Sequence, residues 1–193
     1  MTGPANTDLI EQAKAGSPEA LNALYERCGS RLLGYIRLRM GRELRARLES
    51  RDILQSTLLK SFEHFADFRG SRTPSLMAWL AAIAEREIRD RADFNTRQRR
   101  DGAREVAIET DAALPEAARS ALTHAILTEE ARQLESALES LSAAHREVIL
   151  LRKFQELSFA EIAERLGKSE DACRMLLARG LTALTLELEE RAR

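Results

Sequence analysis

Between Ser158 and Leu184 the chain signals two helix starts and one helix stop in quick succession, and this punctuation constrains the fold more than any other feature. The segment reads SFAEIAERLGKSEDACRMLLARGLTAL. Ser158 and Glu161 have the spacing of a capping box, in which each side chain satisfies an orphan amide of the first turn. Ile162, Ala163 and Leu166 then face inward, and Gly167 supplies the left-handed residue that ends a helix. Ser169 caps the next helix, with Glu170 and Asp171 in its first turn, where the helix dipole favours acids. Cys173, Leu176, Leu177, Leu181 and Leu184 continue the apolar stripe. Two short helices joined by a tight glycine turn form the hairpin that places its second helix in the major groove of DNA. Lys168, Ser169, Arg174 and Arg179 are the candidate phosphate and base contacts of that helix. The competing reading, a plain hairpin in a helical bundle, is disfavoured by the small Ala163, the Gly167 turn and the paired helix starts. The reading helix carries few cations, so the segment from 129 to 193 alone is expected to bind DNA weakly.

The rest of the composition is helical in character. Of 193 residues only 9 are Gly and 4 Pro, while hydrophobic residues make up 44% and charged ones 32%. Ala, Leu, Glu and Arg dominate, and an all-α fold is expected. No apolar run reaches the roughly 20 residues of a membrane span. The first residues lack the basic start and apolar core of a secretion signal, so a cytoplasmic location is expected. Cys28 and Cys173 match no metal-ligand spacing and read as small buried side chains. Net charge is −1, but it is unevenly spread. Residues 1–100 hold 18 basic and 13 acidic side chains, residues 101–141 hold 3 and 9, and residues 142–193 hold 9 of each. A basic block, an acidic bridge and a neutral block predict two domains and a linker.

Periodicity fills in the first block. Ser17-Pro18-Glu19 is a helix start, followed by Leu21, Leu24, Tyr25 and Cys28 at helical spacing. A second periodic stretch carries Leu32, Leu33, Ile36 and Met40. A third helix, from about Asp52 to Ala66, shows the inward stripe Leu54, Leu58, Phe62 and Phe65. Asp67 to Pro74 is a loop, and Thr73-Pro74 opens a helix to about Asp93 with Leu76, Trp79, Leu80 and Ile83 inside. The expected boundaries are 7–95 for the first domain, 96–128 for the acidic linker and 129–190 for the second domain. The second domain is predicted to hold helices near 129–139, 143–155, 158–166 and 169–188.

These blocks together resemble the bacterial sigma factors of the extracytoplasmic-function (ECF) class, within the sigma-70 family. Asp52-Ile53-Leu54-Gln55-Ser56-Thr57-Leu58 looks like the family's Asp-Leu-Val-Gln-Glu-Thr-Phe helix. Phe68-Arg69-Gly70, Ala78-Trp79-Leu80 and Ile83-Ala84 look like its promoter-melting segment. Leu141 to Val148, Leu150-Leu151-Arg152, Leu157-Ser158 and Glu161-Ile162-Ala163 look like its C-terminal domain. The resemblance implies a factor that binds core RNA polymerase and directs promoter-specific initiation. Its first domain would meet the β′ clamp helices through Asp52, Gln55, Ser56, Leu59 and Glu63. It would open the minus-ten element with Arg69, Ser71, Arg72, Trp79, Arg86, Arg89 and Asp90. Melting needs a pocket for a flipped base and cations for the freed strand, which a loop, an aromatic and arginines supply. Trp79 also fits a core role. The second domain would read the minus-thirty-five element with Ser158, Lys168, Ser169, Arg174 and Arg179, and rest on the β flap. Arg86 stands where the family often has Asn, whereas Asp90 keeps the family's acid.

One departure suggests a switch. A wheel at about 100° per residue places Asp52, Gln55, Ser56, Leu59 and Glu63 on one outer stripe. The family commonly has acids at the positions held here by Arg51 and Ser56. Phosphorylating Ser56 or Thr57 would restore about −1.5 to −2 charges. On that expectation the regulator is either a Ser/Thr kinase or an anti-sigma protein; the alternative is that Asp52 and Glu63 suffice. No C-terminal extension follows the hairpin, so a built-in regulatory domain is not expected. His64, His124 and His145 show no metal or triad spacing and no phosphate loop occurs, so neither an enzyme nor a cofactor is expected. A conventional repressor with the same hairpin and a non-DNA helical adaptor are the remaining alternatives.

Overall fold

The computed structural model describes residues 6–70, 73–100 and 129–191, and within them every regular element is helical. The elements are α1 (Asn6–Lys14), α2 (Pro18–Arg45), α3 (Ser50–Glu63), a short 3-10 turn (Phe65–Asp67), α4 (Thr73–Arg100), α5 (Glu129–Ser140), α6 (Ala143–Ile149), a π turn (Leu150–Phe154), α7 (Phe159–Leu166) and α8 (Glu170–Arg191). The acidic stretch 101–128 lies outside the described residues.

Helix α2 is the spine. The two periodic stretches expected as separate helices are one helix, started by Ser17, whose Oγ accepts from the Ala20 amide at 3.2 Å. It bends at Gly41, where φ is +63° and ψ 173°, a conformation that costs glycine little. Helices α1, α3 and α4 pack around it, and α1 was not separately expected. Tyr25, Leu32, Leu33, Ile36, Ile53, Leu54, Leu58, Leu76, Met77 and Leu80 close this core. The helix expected to reach Ala66 ends at Glu63; of its expected inner stripe Leu54 and Leu58 are buried in α3 and Phe65 in the 3-10 turn, but Phe62 is 41% exposed.

The second group packs α5, α6 and α7 on α8. Its core is Ala137, Leu138, Val148 to Leu151, Ile162 and Cys173. The helix expected to run to 155 turns into a π turn at Leu150, and Glu156 then takes φ +58°. Helices α6 and α8 approach closely at Gly180, where a Cβ would lie 3.2 Å from His145 Cβ.

The two groups also meet, and α2 contributes arginines that pair with acids of the second group. On α2, Arg37 Nε donates to Glu135 at 2.6 Å, and Arg45 pairs with Glu135 at 2.7 Å and with Glu139. Arg39 holds Glu147 with two bonds, one of them 2.8 Å, and Arg31 pairs with Glu156 while donating to the Lys153 carbonyl at 2.5 Å. At the centre Tyr35 is fully buried. It donates to Glu85 of α4 and accepts from Gln155 Nε2 at 2.7 Å and from Arg39 Nε at 2.9 Å. Burial pushes the Tyr35 phenol well above its ordinary pKa, keeping it a neutral donor. Arg165 of α7 completes the set with two bonds to Glu85, 2.8 and 3.0 Å long.

Candidate nucleic-acid interface

The hairpin forms as its local signals require. Ser158 Oγ accepts from the Glu161 amide at 3.2 Å, and Glu161 Oε2 accepts from the Ser158 amide at 2.7 Å. Gly167 is left-handed (φ +61°, ψ 38°), and the Lys168 amide donates back to the Ala163 carbonyl at 3.0 Å. Ser169 Oγ accepts from the Ala172 amide at 3.2 Å and starts α8. Fully buried Ile162 and Cys173 lock the two helices together. Lys168, Ser169, Arg174 and Arg179 are all exposed on the rim of the second helix, and Ser158 is exposed at the start of the first.

Arg174 holds a feature that the sequence reading missed. Its guanidinium donates to Glu170 at 2.7 Å and to Asp171 at 2.8 Å, and its Cζ lies 5.0 Å from the Phe159 ring centroid. Arg152 Cζ stands 5.0 Å from the same ring. Such contacts fix a guanidinium's direction while offsetting its charge. The acids three and four residues before Arg174 were the available signal.

The first half offers a second surface where α3 meets α4. An open groove of about 490 Å³ there is lined by Trp79, Arg86, His64, Glu63 and their neighbours. Trp79 is half-buried and serves as both wall and core. Its ring lies 5.2 Å from Phe68 and 6.0 Å, edge-on, from Phe65. Arg86 lines the groove and is exposed, and Arg69, Arg89 and Asp90 are also exposed. Ser71 and Arg72 lie outside the described residues.

The outer stripe of α3 needs one correction. Asp52 and Glu63 are exposed and Gln55 and Leu59 half-exposed, but Ser56 is buried at 7%. It faces α4, where its Oγ accepts from Arg91 Nη2 at 2.5 Å. Thr57 is fully buried and donates to the Ile53 carbonyl at 2.7 Å. The accessible hydroxyl that a phosphorylation switch needs is therefore absent at both positions. The physical reason is that α3 is packed on two sides, by α2 and α4, so its buried arc is wider than one apolar stripe. Ser61 is likewise buried, 2.7 Å from Tyr25 Oη.

Residues 131–184 match the family model for sigma-70, region 4, a span that begins in α5 and contains the whole hairpin. Over almost the full chain the ECF RNA polymerase sigma factor BldN of Streptomyces coelicolor is 27% identical, covering 96% of this chain and 67% of its own length. RNA polymerase sigma factor YlaC of Bacillus subtilis is 34% identical over 62% of this chain and 66% of its own. The chain belongs to the ECF class of the sigma-70 family. The solved structure of CnrH in complex with the cytosolic domain of CnrY matches with a TM-score of 0.53 at 25% identity, covering 97% of this chain and 99% of that one.

As an ECF sigma factor the protein directs transcription initiation with RNA polymerase and is not an enzyme. Among the described residues no helix is long and apolar enough to cross a membrane. Both cysteines of this sigma factor are free and buried. Burial pushes the Cys28 thiol up to about 11.

Proposed function

We propose that this sigma factor divides its work between the two surfaces just described, with domains at 7–95 and 129–190 joined by the stretch 96–128. The outer face of α3, through Asp52, Gln55, Leu59 and Glu63, meets the β′ clamp helices. The groove beside it accepts a base flipped from the minus-ten element. Trp79 offers a stacking face, and Arg69, Arg86 and Arg89 offer charge to the freed strand, with Ser71, Arg72 and Asp90 assigned to the same element. The groove's volume is in the range of small-ligand pockets and large enough for a nucleobase. In the second domain Lys168, Ser169, Arg174 and Arg179 face the minus-thirty-five element, with Ser158 fixing the first helix and the β flap as support.

The observation that carries this reading is the hairpin itself. Two capped helices meet at a left-handed Gly167 inside the matched region. The action takes place where core polymerase is, in the cytoplasm. Regulation by a protein partner of the anti-sigma kind is supported by CnrH having been solved with the cytosolic domain of another protein. A kinase acting on Ser56 or Thr57 is not part of the proposal, since both hydroxyls are buried.

The test is reconstitution. Purified protein mixed with core RNA polymerase should give initiation from a defined set of promoters, and Trp79→Ala should impair opening more than duplex binding. A repressor would instead bind its duplex site tightly without polymerase. An adaptor would do neither, and either result would sink the proposal.

A further inference from the structure

Phe159 opens the first helix of the hairpin, and its ring is half-buried against the core of the second group. Two guanidiniums stand over that ring, Arg152 from the π turn and Arg174 from α8, each with Cζ 5.0 Å from the centroid. Sharing one ring brings the two cations near enough to repel, since salt screens charges only beyond about 10 Å at ~0.1 M. Each is anchored against that repulsion. Arg152 donates to the Leu157 carbonyl at 2.6 Å. Arg174 donates from Nη2 to Glu170 at 2.7 Å and from Nη1 to Asp171 at 2.8 Å.

Ring and carboxylates constrain different things. A ring attracts the cation through its π face and consumes none of the N–H donors of the guanidinium. The two carboxylates take one N–H from each terminal nitrogen and leave the other N–H groups free. On their own they would hold Arg174 weakly, because such pairs are worth little in water and Asp171 is 92% exposed. Phe159 belongs to the packed hairpin, so it is the rigid member of the set.

We infer that Phe159 is a positioning residue for base reading: its ring sets the plane of the Arg174 guanidinium, so that the free edge meets one guanine of the minus-thirty-five element. This rests on the proposed role of the hairpin. Guanine follows from the chemistry. Its O6 and N7 accept a coplanar pair of N–H donors in the major groove, the commonest specific contact of an arginine. A guanidinium that is already oriented loses less freedom on binding. That gain accrues only at the base pair where the geometry is met. Removing the ring should therefore cost discrimination at one position rather than affinity at all of them.

Two measurements on the full chain test this. In nuclear magnetic resonance of the free protein, the Arg174 side-chain protons should be shifted upfield by the ring current of Phe159. The shift should vanish in Phe159→Leu with far-UV helicity unchanged. An unshifted Arg174 in the wild type overturns the inference. With core RNA polymerase, open-complex formation is then compared on promoters changed one base pair at a time across the minus-thirty-five element. Phe159→Leu should narrow the preference for one guanine about two- to fivefold, while Phe159→Tyr, which keeps the ring, should preserve it. Added to Arg174→Ala, Phe159→Leu should cost no further preference. A loss spread evenly over all promoters overturns the inference, as does a full additional loss in the double variant; either would make Phe159 a packing residue only. If Phe159→Leu unfolds, the wild-type resonance shift and the Phe159→Tyr profile decide, and loss of the preference in a folded Phe159→Tyr overturns it. Indifference of the wild type to every minus-thirty-five substitution, with the Arg174 shift present, would instead refute the proposed function.

Discussion

Gly180 sits in the middle of α8, where an exposed glycine would be a liability of about 1 kcal/mol relative to alanine. Replacing it with alanine should therefore stabilise the helix, unless the space is taken. The space is taken: the new Cβ would stand 3.2 Å from His145 Cβ, 3.3 Å from Ile149 Cδ1 and 3.4 Å from the His145 carbonyl. The isoleucine end can swing aside, but His145 Cβ and its carbonyl move only if α6 moves. Overpacking of this kind costs about 1–3 kcal/mol, so the gain in propensity is overrun and the net change is about 1 kcal/mol of destabilisation. For a chain of this length that corresponds to a fall in Tm of about 2–4 °C. The assay is thermal unfolding of the full chain followed by circular dichroism. Ala178→Gly, on the exposed side of the same helix, serves as the propensity control and should lose about 1 kcal/mol. A rise in Tm for Gly180→Ala would refute the reasoning, because it would mean that α6 yields freely to α8. Gly180→Ala should also tilt α8 on its support and weaken use of promoters that depend on the minus-thirty-five element, read by transcription with element-mutated templates.

Arg174→Ala should relax preference at one or two positions of the minus-thirty-five element at a cost of about 1–3 kcal/mol. The salt slope of binding should change by less than the full unit expected for one free phosphate contact, because Glu170 and Asp171 already offset that charge. Titrations of the holoenzyme on single-base promoter variants at two salt concentrations check both. Thr57→Glu puts a carboxylate at a fully buried position and should cost several kcal/mol of stability, measured by denaturant unfolding, with no gain in polymerase pull-down. Cys28 and Cys173 should both resist a thiol reagent at pH 8 in the native chain and both react in denaturant; Cys28 is buried and its thiol is pushed up to about 11.

What the sequence made legible was local. The two starts and the central stop of the hairpin could be placed to within a residue because their signals act over three or four positions: Ser158 on Glu161, Gly167 at the stop, Ser169 on Ala172. Ser56 was misplaced because the wheel assumed one inward stripe, whereas α3 is packed by both α2 and α4. Of the four buried hydroxyl residues in α3, Ser56 is held by Arg91, Thr57 by the Ile53 carbonyl and Ser61 by Tyr25 and the Leu58 carbonyl, and two of these partners lie on other helices. The π turn after Ile149 left no mark in the pattern, since its apolar residues fit a continued helix equally well. The pairs between Arg39 and Glu147 or Arg45 and Glu139 join residues about a hundred positions apart, and periodicity has no term for such distances. The trio of Phe65, Phe68 and Trp79 was half legible: the residue types suggested stacking, but only the fold shows one ring serving groove and core together.

The self-paired Arg174 has a consequence for how the protein shares a cell with its chromosome. Non-specific hold on duplex DNA grows with the number of unpaired cations, and a genome offers about a million or more arbitrary sites. A chain of net charge −1 whose reading helix opens with Glu170 and Asp171 clasping its own arginine has little to offer them. Most free molecules should therefore stay unadsorbed, available to whichever polymerase is unoccupied, and the protein should wash from a column of random-sequence DNA at low salt. On the proposed reading the search for a promoter is then conducted by the assembled enzyme, with Arg174 as a discriminator consulted on arrival.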